Sequence, residues 1–393
     1  MAEAVIVSAT RTAIGSMGGS LSTIPAAKLG AAAVREAVAR AGVDPAEVGE
    51  VVLGHVLQAG QGLNSGRVAA LEAGIPQEVP SYALNKACGS GLKAVVNVAS
   101  GVLLGDYDIG VAGGMENMSL APYLLTKARY GYRLGHDKVL DSLINDGLTC
   151  PINDVHMGIT AENIADKYDL ARESQDEFAA SSQQKAVAAQ EAGRFEKEIF
   201  SLEVPGKKRG ETVEFNVDEF PRAGTTAEGL GKLRAAFKKD GSVTAGNASG
   251  INDGAAALVV MNAYVAKDRG LEPLARIRGW ASAGVDPAIM GMGPWPACEK
   301  ALERAGLQKE DIGLWELNEA FAAQSLGVLA ELKIDPAKVN VNGGAIALGH
   351  PIGCSGARVL VTLLHAMQDR GVERGIASLC IGGGQGIAMI VER

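Results

Sequence analysis

The sequence predicts an α/β protein built from two related halves, with a third segment inserted into the first. Three observations carry this prediction. A helix–turn–strand pattern occurs twice, 264 residues apart. Glycine is abundant (51 residues) and aromatics make up only 4% of the chain, a composition suited to tight strand–helix turns and closely packed helices. Finally, 393 residues are too many for one simple core, so two or three domains are expected.

The first copy of the pattern, residues 36–54, reads EAVARAGVDPAEVGEVVLG; the second, residues 300–318, reads KALERAGLQKEDIGLWELN. Ala37, Arg40, Ala41, Gly42 and Gly49 meet identical residues at Ala301, Arg304, Ala305, Gly306 and Gly313. Each copy reads as an amphipathic helix stopped by glycine, then a turn, then an apolar strand. Further on, Gly89-Ser90-Gly91-Leu92 faces Cys354-Ser355-Gly356-Ala357, each a turn opening a helix, and Val111-Ala112-Gly113-Gly114 is matched to Ile381-Gly382-Gly383-Gly384. The closing strand of the second copy follows at once from Gly386, whereas its first-copy equivalent waits until Gly254–Met261. The chain therefore divides into an N-terminal half (1–120 plus 251–270), an inserted loop domain (121–250) and a C-terminal half (271–393).

The first element, Glu3–Ala9, is apolar without a basic leader and reads as a strand, not a signal peptide. No apolar run approaches the roughly 20 residues that cross a bilayer, so no membrane association is expected. The chain ends Val391-Glu392-Arg393, which is not a peroxisomal address, and a cytoplasmic location is expected. A net charge of −8 argues against nucleic acid as the partner. Five cysteines without paired spacing read as reduced thiols, and no Cys-x-x-Cys or His-x-x-x-His pair points to a metal. The insertion carries a helix over 171–193 and a basic stretch, with eight basic and five acidic residues between 205 and 239. Lys207, Lys208, Arg209, Arg222, Lys232 and Arg234 are either a solvated surface or an anion-binding patch.

Four motifs carry chemistry. Cys88 opens Cys88-Gly89-Ser90-Gly91 ahead of an apolar helix running to about Leu104. A free thiol is only a few per cent ionised at neutral pH, but beside an imidazole at a helix N-terminus it becomes a competent nucleophile. Taken alone, it could equally be a buried apolar cysteine. His350 sits in Leu348-Gly349-His350-Pro351, where Gly and Pro fix a turn that a core histidine does not require, so functional and structural readings both stand. His55 and His365 read as structural, His136 as exposed, and His156 as intermediate. Asn318 ends a strand where the first copy has Gly54; it is either a helix cap or an amide placed at the ligand-bearing end of the sheet. Cys380 ends another strand, directly before Gly382-Gly383-Gly384. No Lys-Ser/Thr follows, so this turn reads as amides for an oxyanion rather than as a phosphate loop.

Together these motifs resemble the thiolase superfamily, with further similarity at Val5–Gly15, Gly113-Gly114-Met115-Glu116, His156-Met157-Gly158 and Gly246-Asn247-Ala248-Ser249-Gly250. In Cys-Gly-Ser-Gly the chain looks like the biosynthetic branch; the degradative branch more often has Cys-Ser-Ser-Gly. The resemblance implies the thiolase fold, two pseudo-repeated α/β halves stacked as layered sheets and helices with an inserted loop domain. It implies reversible Claisen condensation of two acetyl-CoA into acetoacetyl-CoA and CoA by a ping-pong route. Cys88 would be the nucleophile, His350 its activator and Cys380 the base that takes the α-proton. His350 and a water held by Asn318 would steady the enolate, and the backbone N–H groups of Cys88 and Gly382 the tetrahedral intermediate. CoA would lie against Leu148, His156, Arg222, Phe237, Ser249 and Met290, with Ala320 and Phe321 near the pantetheine. Gly229, where relatives often have Ser, and Ala235, where Pro is usual, are departures. The resemblance further implies no tightly bound cofactor and a homotetramer, a dimer of dimers joined through Tyr123–Leu140. Cys354 is expected to be a spectator. A broader-chain degradative thiolase is the alternative. Condensing enzymes of the β-ketoacyl synthase type share the fold but lack the second cysteine, and a CoA-binding protein without activity would not need all four motifs.

Overall fold

The computed structural model describes residues 3–206, 208 and 210–393. The main sheet runs, edge to edge, Ser81–Leu84, Glu50–Gly54, Ile109–Asn117, Asn252–Asn262, Ala4–Arg11, Ala275–Gly284, Gln385–Glu392, Arg374–Ile381, Leu314–Leu317. The order is nearly symmetric about the seam between Ala4–Arg11 and Ala275–Gly284, where Val5 pairs with Arg276 and Ile6 with Ala275. The first half's outermost parallel pair, Val51 with Ser81, has its counterpart in a single parallel bridge from Trp315 to Val339.

Two apolar helices, Ser90–Leu104 and Ile352–Arg370, lie between the half-sheets and share one core with strand residues of both halves. Outer helices complete the layers. Ala26–Ala41 covers the first half-sheet and Pro294–Ala305 the second. The repeat is visible in their ends: Gly42 (φ 63°) and Gly306 (φ 65°) both take the left-handed conformation that stops a helix, and each is followed by a capping box, at Asp44 and at Gln308.

Strand pairing corrects one part of the sequence alignment. Glu50 pairs with Gly110 and Leu314 with Gly375, so the strand from Ile109 corresponds to that from Arg374 at an offset of 265 residues. Cys380 thus stands where the first half has Met115, not five residues away as the glycine runs imply. The Gly-Gly match is a coincidence of composition: Gly113 lies inside a strand, while Gly383 and Gly384 (both φ 84°) form a hairpin turn. A second expectation also changes. Ala87–Leu104 is apolar enough over 18 residues to resemble a membrane span (mean hydropathy 1.4), but 61% of it is buried within the protein. Its apolarity is that of a largely buried core helix.

Backbone proximity joins the central helices. A Cβ at Gly91 would lie 2.5 Å from the Ala357 nitrogen, and one at Gly356 would lie 2.2 Å from that of Leu92. These first-turn glycines let the two helix starts touch, which carries the Cys88 turn and the His350 turn to one place. The segment inserted between Asn117 and Asn252 is tied down by charge. Arg11, fully buried, reaches Glu198 at 2.7 Å and grips Asp218 at 2.7 and 2.9 Å. Removing either partner of such a pair strands a buried charge, at about 3–5 kcal/mol. Within the insertion, helix Met157–Lys167 packs toward the second half, where Asn163 donates to the Ala288 carbonyl (2.8 Å) and Tyr168 to Glu331 (2.7 Å).

Candidate active site

Cys88 sits on a constrained turn. Ala87 has φ 43°, a left-handed conformation that costs a residue with a Cβ roughly 1–3 kcal/mol. Local hydrogen bonds hold it: Ala87 N–H donates to Asn85 Oδ1 (2.9 Å), Lys86 N–H to Ser90 Oγ (2.8 Å), and Ser90 Oγ–H to the Ala87 carbonyl (2.6 Å). The thiol is half-buried, and burial pushes it up to about 11, opposed by hydrogen bonding from the backbone N–H groups of Gly382 and of Cys88 itself. Both amides thus lie near the sulfur, on the side where an acyl group attached to it would place its carbonyl oxygen in the proposed reaction.

His350 is held from both sides. Gly349 (φ 106°) passes so close to Asn252 that an added Cβ would fall 2.5 Å from its amide carbon. Asn252 Oδ1 accepts from the His350 N–H (3.0 Å), and its Nδ2 donates to the Gly15 carbonyl (3.1 Å). The ring's Nδ1 lies 2.5 Å from Ser355 Oγ; its Nε2 is buried without a partner among the described residues. Burial, aided by the positive charge of Arg358, lowers this imidazole to about 3, so it is neutral at physiological pH.

Asn318 follows strand Leu314–Leu317, with its N–H bonded to the Ser378 carbonyl (2.9 Å). It caps no helix: the next one, Ala322–Leu332, begins after Phe321 with no side-chain cap. Both atoms of its amide are buried and without a partner among the described residues. Glu319 secures the neighbouring backbone by accepting from Ser182 Oγ (2.6 Å), Asn340 Nδ2 (2.8 Å) and Ile346 N–H (3.2 Å). Cys380 is fully buried and held above the normal thiol range by burial, then by the negative charge of a Cys88 thiolate. Cys354 is buried too, pushed up to about 12 by its apolar surroundings, and outside the cavity lining.

A cavity of about 250 Å³ has Cys88, His350, Gly382 and Gly383 in its lining, while Asn318 and Cys380 lie outside the lining. Of the CoA residues expected from sequence, Leu148, Ser249, Met290, Ala320 and Phe321 line it. His156 and Phe237 stand beside it, stacked at 4.7 Å, with Phe237 edge-on to Phe321 at 6.1 Å. Cys380 packs with Met157, Ala320 and Phe321 just behind the lining. Arg222 lies elsewhere, in a separate pocket with Thr225, Leu230, Leu233 and Gly246. Gly229 has room, since a Cβ there would meet only Thr226 Oγ1 at 3.3 Å. The basic residues do not form one patch: Lys208 borders another hollow with Ser20, Glu211 and Glu219, and Lys232 pairs with Glu228 at 3.6 Å. Lys207 and Arg209 lie outside the described residues.

Asn252, Ser355 and Glu116 escaped sequence reading. Glu116 accepts from the N–H groups of Gly353 (2.8 Å), Val56 and Leu57 (both 3.1 Å), and lies 3.2 Å from His55. Each acts across 59 or more residues except Ser355, whose place in Gly353-Cys354-Ser355-Gly356 reads only as helix-opening.

Comparison with known proteins agrees with this geometry. The model of the thiolase N-terminal domain matches residues 4–264 and that of the thiolase C-terminal domain residues 271–393. The chain is 60% identical over 393 residues to an acetyl-CoA acetyltransferase of Pseudomonas aeruginosa, and 59% identical over 394 to one of Escherichia coli, covering all of both chains in each case. A crystal structure of the Bacillus anthracis acetyl-CoA acetyltransferase superposes with a TM-score of 0.97 at 49% identity, over 100% of this chain and 99% of that one.

Proposed function

The chain belongs to the thiolase family, and we propose that it joins two acetyl-CoA into acetoacetyl-CoA and CoA, reversibly, through an acetyl thioester on Cys88. The observation that carries this reading is the convergence of Cys88, the unpartnered Nε2 of a neutral His350 and the Gly382 amide on one cavity, with Cys380 directly behind it. The names of its relatives support acetyl-CoA as substrate.

A thiol raised to about 11 does not ionise unaided at neutral pH, so Cys88 needs a base at the moment of attack. His350 Nε2 takes the proton as sulfur adds to the acetyl carbonyl. The oxyanion is met by the Cys88 and Gly382 amides, and the imidazolium returns the proton to the departing CoA sulfur. Acetylation also makes Cys88 non-ionisable, so no thiolate there can oppose ionisation of Cys380. His350, neutral again, accepts the Cys380 proton, and the Cys380 thiolate takes a proton from the methyl group of the second acetyl-CoA. The enolate oxygen is stabilised by the His350 imidazolium and by a water on the free amide of Asn318. Its carbon attacks acetyl-Cys88, the carbon–sulfur bond to Cys88 breaks, the imidazolium returns its proton to the Cys88 sulfur, and acetoacetyl-CoA leaves.

The nucleotide end of CoA is assigned to the Arg222 pocket, the pantetheine to the channel past His156, Phe237 and Phe321. The exposed apolar side chains of Tyr123, Tyr130 and Leu134 support Tyr123–Leu140 as a tetramer-forming loop. A cytoplasmic location completes the reading. The test is thiolysis of acetoacetyl-CoA against longer 3-ketoacyl-CoA. Preference for the four-carbon substrate is expected; equal or faster cleavage of long chains would assign the chain to the broader-chain alternative.

A further inference from the structure

We propose that Ser355 is a positioning residue that keeps the proton of neutral His350 on Nδ1, leaving the Nε2 lone pair free toward the cavity that Cys88 lines. The inference rests on the reading of His350 as the base that activates Cys88.

The hydroxyl of Ser355 has two neighbours, the Pro351 carbonyl at 2.9 Å and His350 Nδ1 at 2.5 Å. A carbonyl oxygen only accepts, so the single hydroxyl proton must point to Pro351. What remains toward the ring is a lone pair, and Nδ1 can approach it closely only as an N–H donor. The reverse arrangement would set Oγ lone pairs against the Pro351 carbonyl and place the proton on Nε2, where it blocks proton uptake.

The molecule contains an internal control. Ser90 is the counterpart of Ser355 in the first half and likewise opens a central helix. It donates to the Ala87 carbonyl at 2.6 Å and accepts at 2.8 Å from the Lys86 backbone N–H, a group whose proton position is not in question. Both serines are fully buried. The second half thus repeats a donor–acceptor pattern already fixed in the first, with the imidazole Nδ1–H in the place of a peptide N–H. The unpartnered Nε2 is the consequence on the other side of the ring. When Nε2 accepts a proton, the Nδ1–H···Oγ bond persists in the imidazolium, so the turn need not rearrange between steps.

Side-chain ¹⁵N spectra of the wild-type chain, with His350 assigned by its loss in His350→Asn, read the tautomer directly. The expected neutral form carries its proton on Nδ1; a neutral ring protonated on Nε2 would overturn the proposal. Kinetically, Ser355→Ala is expected to slow acetylation of Cys88 by about 100-fold with the KM for acetyl-CoA unchanged, as for a base held in the wrong tautomer. Ser355→Thr, which keeps the hydroxyl, should recover most of the rate. Wild-type acetylation by Ser355→Ala would also overturn it. If both variants misfold, the wild-type spectrum alone decides. A wild-type chain that never acetylates would refute the assignment of the reaction while leaving the proton's position to the spectrum.

Discussion

The two halves of this molecule share a scaffold and, in the proposed reaction, divide the chemistry between them. At each of four corresponding positions only one half carries a reactive group: Cys88 against Gly353, His350 against Asn85, Asn318 against Gly54, and Cys380 against Met115. The inert partner is not idle. Gly353 donates to Glu116, and a Cβ on Gly54 would fall 2.5 Å from the Gly91 nitrogen and 2.7 Å from the Gly353 carbonyl. In the proposed reaction the first half supplies the nucleophile and yields space, and the second supplies the bases and the free amide. A duplicated fold thus offers two sets of sites at the same central helix ends, and one set can be emptied so that the backbones meet.

Exchanging residues between the halves tests this division. The largest effect is expected for Cys380→Ser, which should still acetylate Cys88 but condense about 10³-fold more slowly, the contribution of a placed base. Rapid condensation by that variant would remove Cys380 from its role. Asn318→Gly installs the first half's residue and should lower condensation by roughly 10²-fold, the effect of one lost oxyanion donor, with acetylation kept. Losing both half-reactions equally would mean Asn318 is structural. Gly54→Ala, in the emptied site, should leave the chemical groups alone and lower stability by about 1–3 kcal/mol through overpacking. A variant with unchanged thermal midpoint would show that the close approach matters little.

The smallest effect is a pH dependence. His350 is lowered to about 3 in the folded chain, below the usual 6.5, so the unfolded state binds the extra proton first. Its contribution to stability is therefore complete above pH 6.5 and is lost as pH falls toward 3. His350→Asn, which copies Asn85, should flatten that acid limb in thermal melts; an unaltered limb would place the acid sensitivity elsewhere.

The repeat and the motifs around Cys88, His350, Asn318 and Cys380 are legible in the sequence because turn glycines and short motifs are local signals; Leu148, Ser249, Met290, Ala320 and Phe321, which line the cavity, are reached only through the thiolase resemblance. Strand register was not legible. Glycine runs at Gly113 and Gly382 look alike, and only the pairing of Glu50 with Gly110 and Leu314 with Gly375 separates a strand interior from a hairpin. Nor were the braces. Asn252 holds the His350 backbone from 98 residues away, and Glu116 holds Gly353 from 237. The basic stretch failed as a patch for a related reason, since Arg222 and Lys208 look adjacent by composition yet border different hollows.

The most direct test of the account is intact mass and peptide mapping after mixing the chain, thiols reduced, with acetyl-CoA alone. One acetyl group on the peptide containing Cys88 is predicted. No adduct, with CoA binding demonstrated separately, or an acetyl group on Cys380 instead, would contradict the division of labour between the two halves.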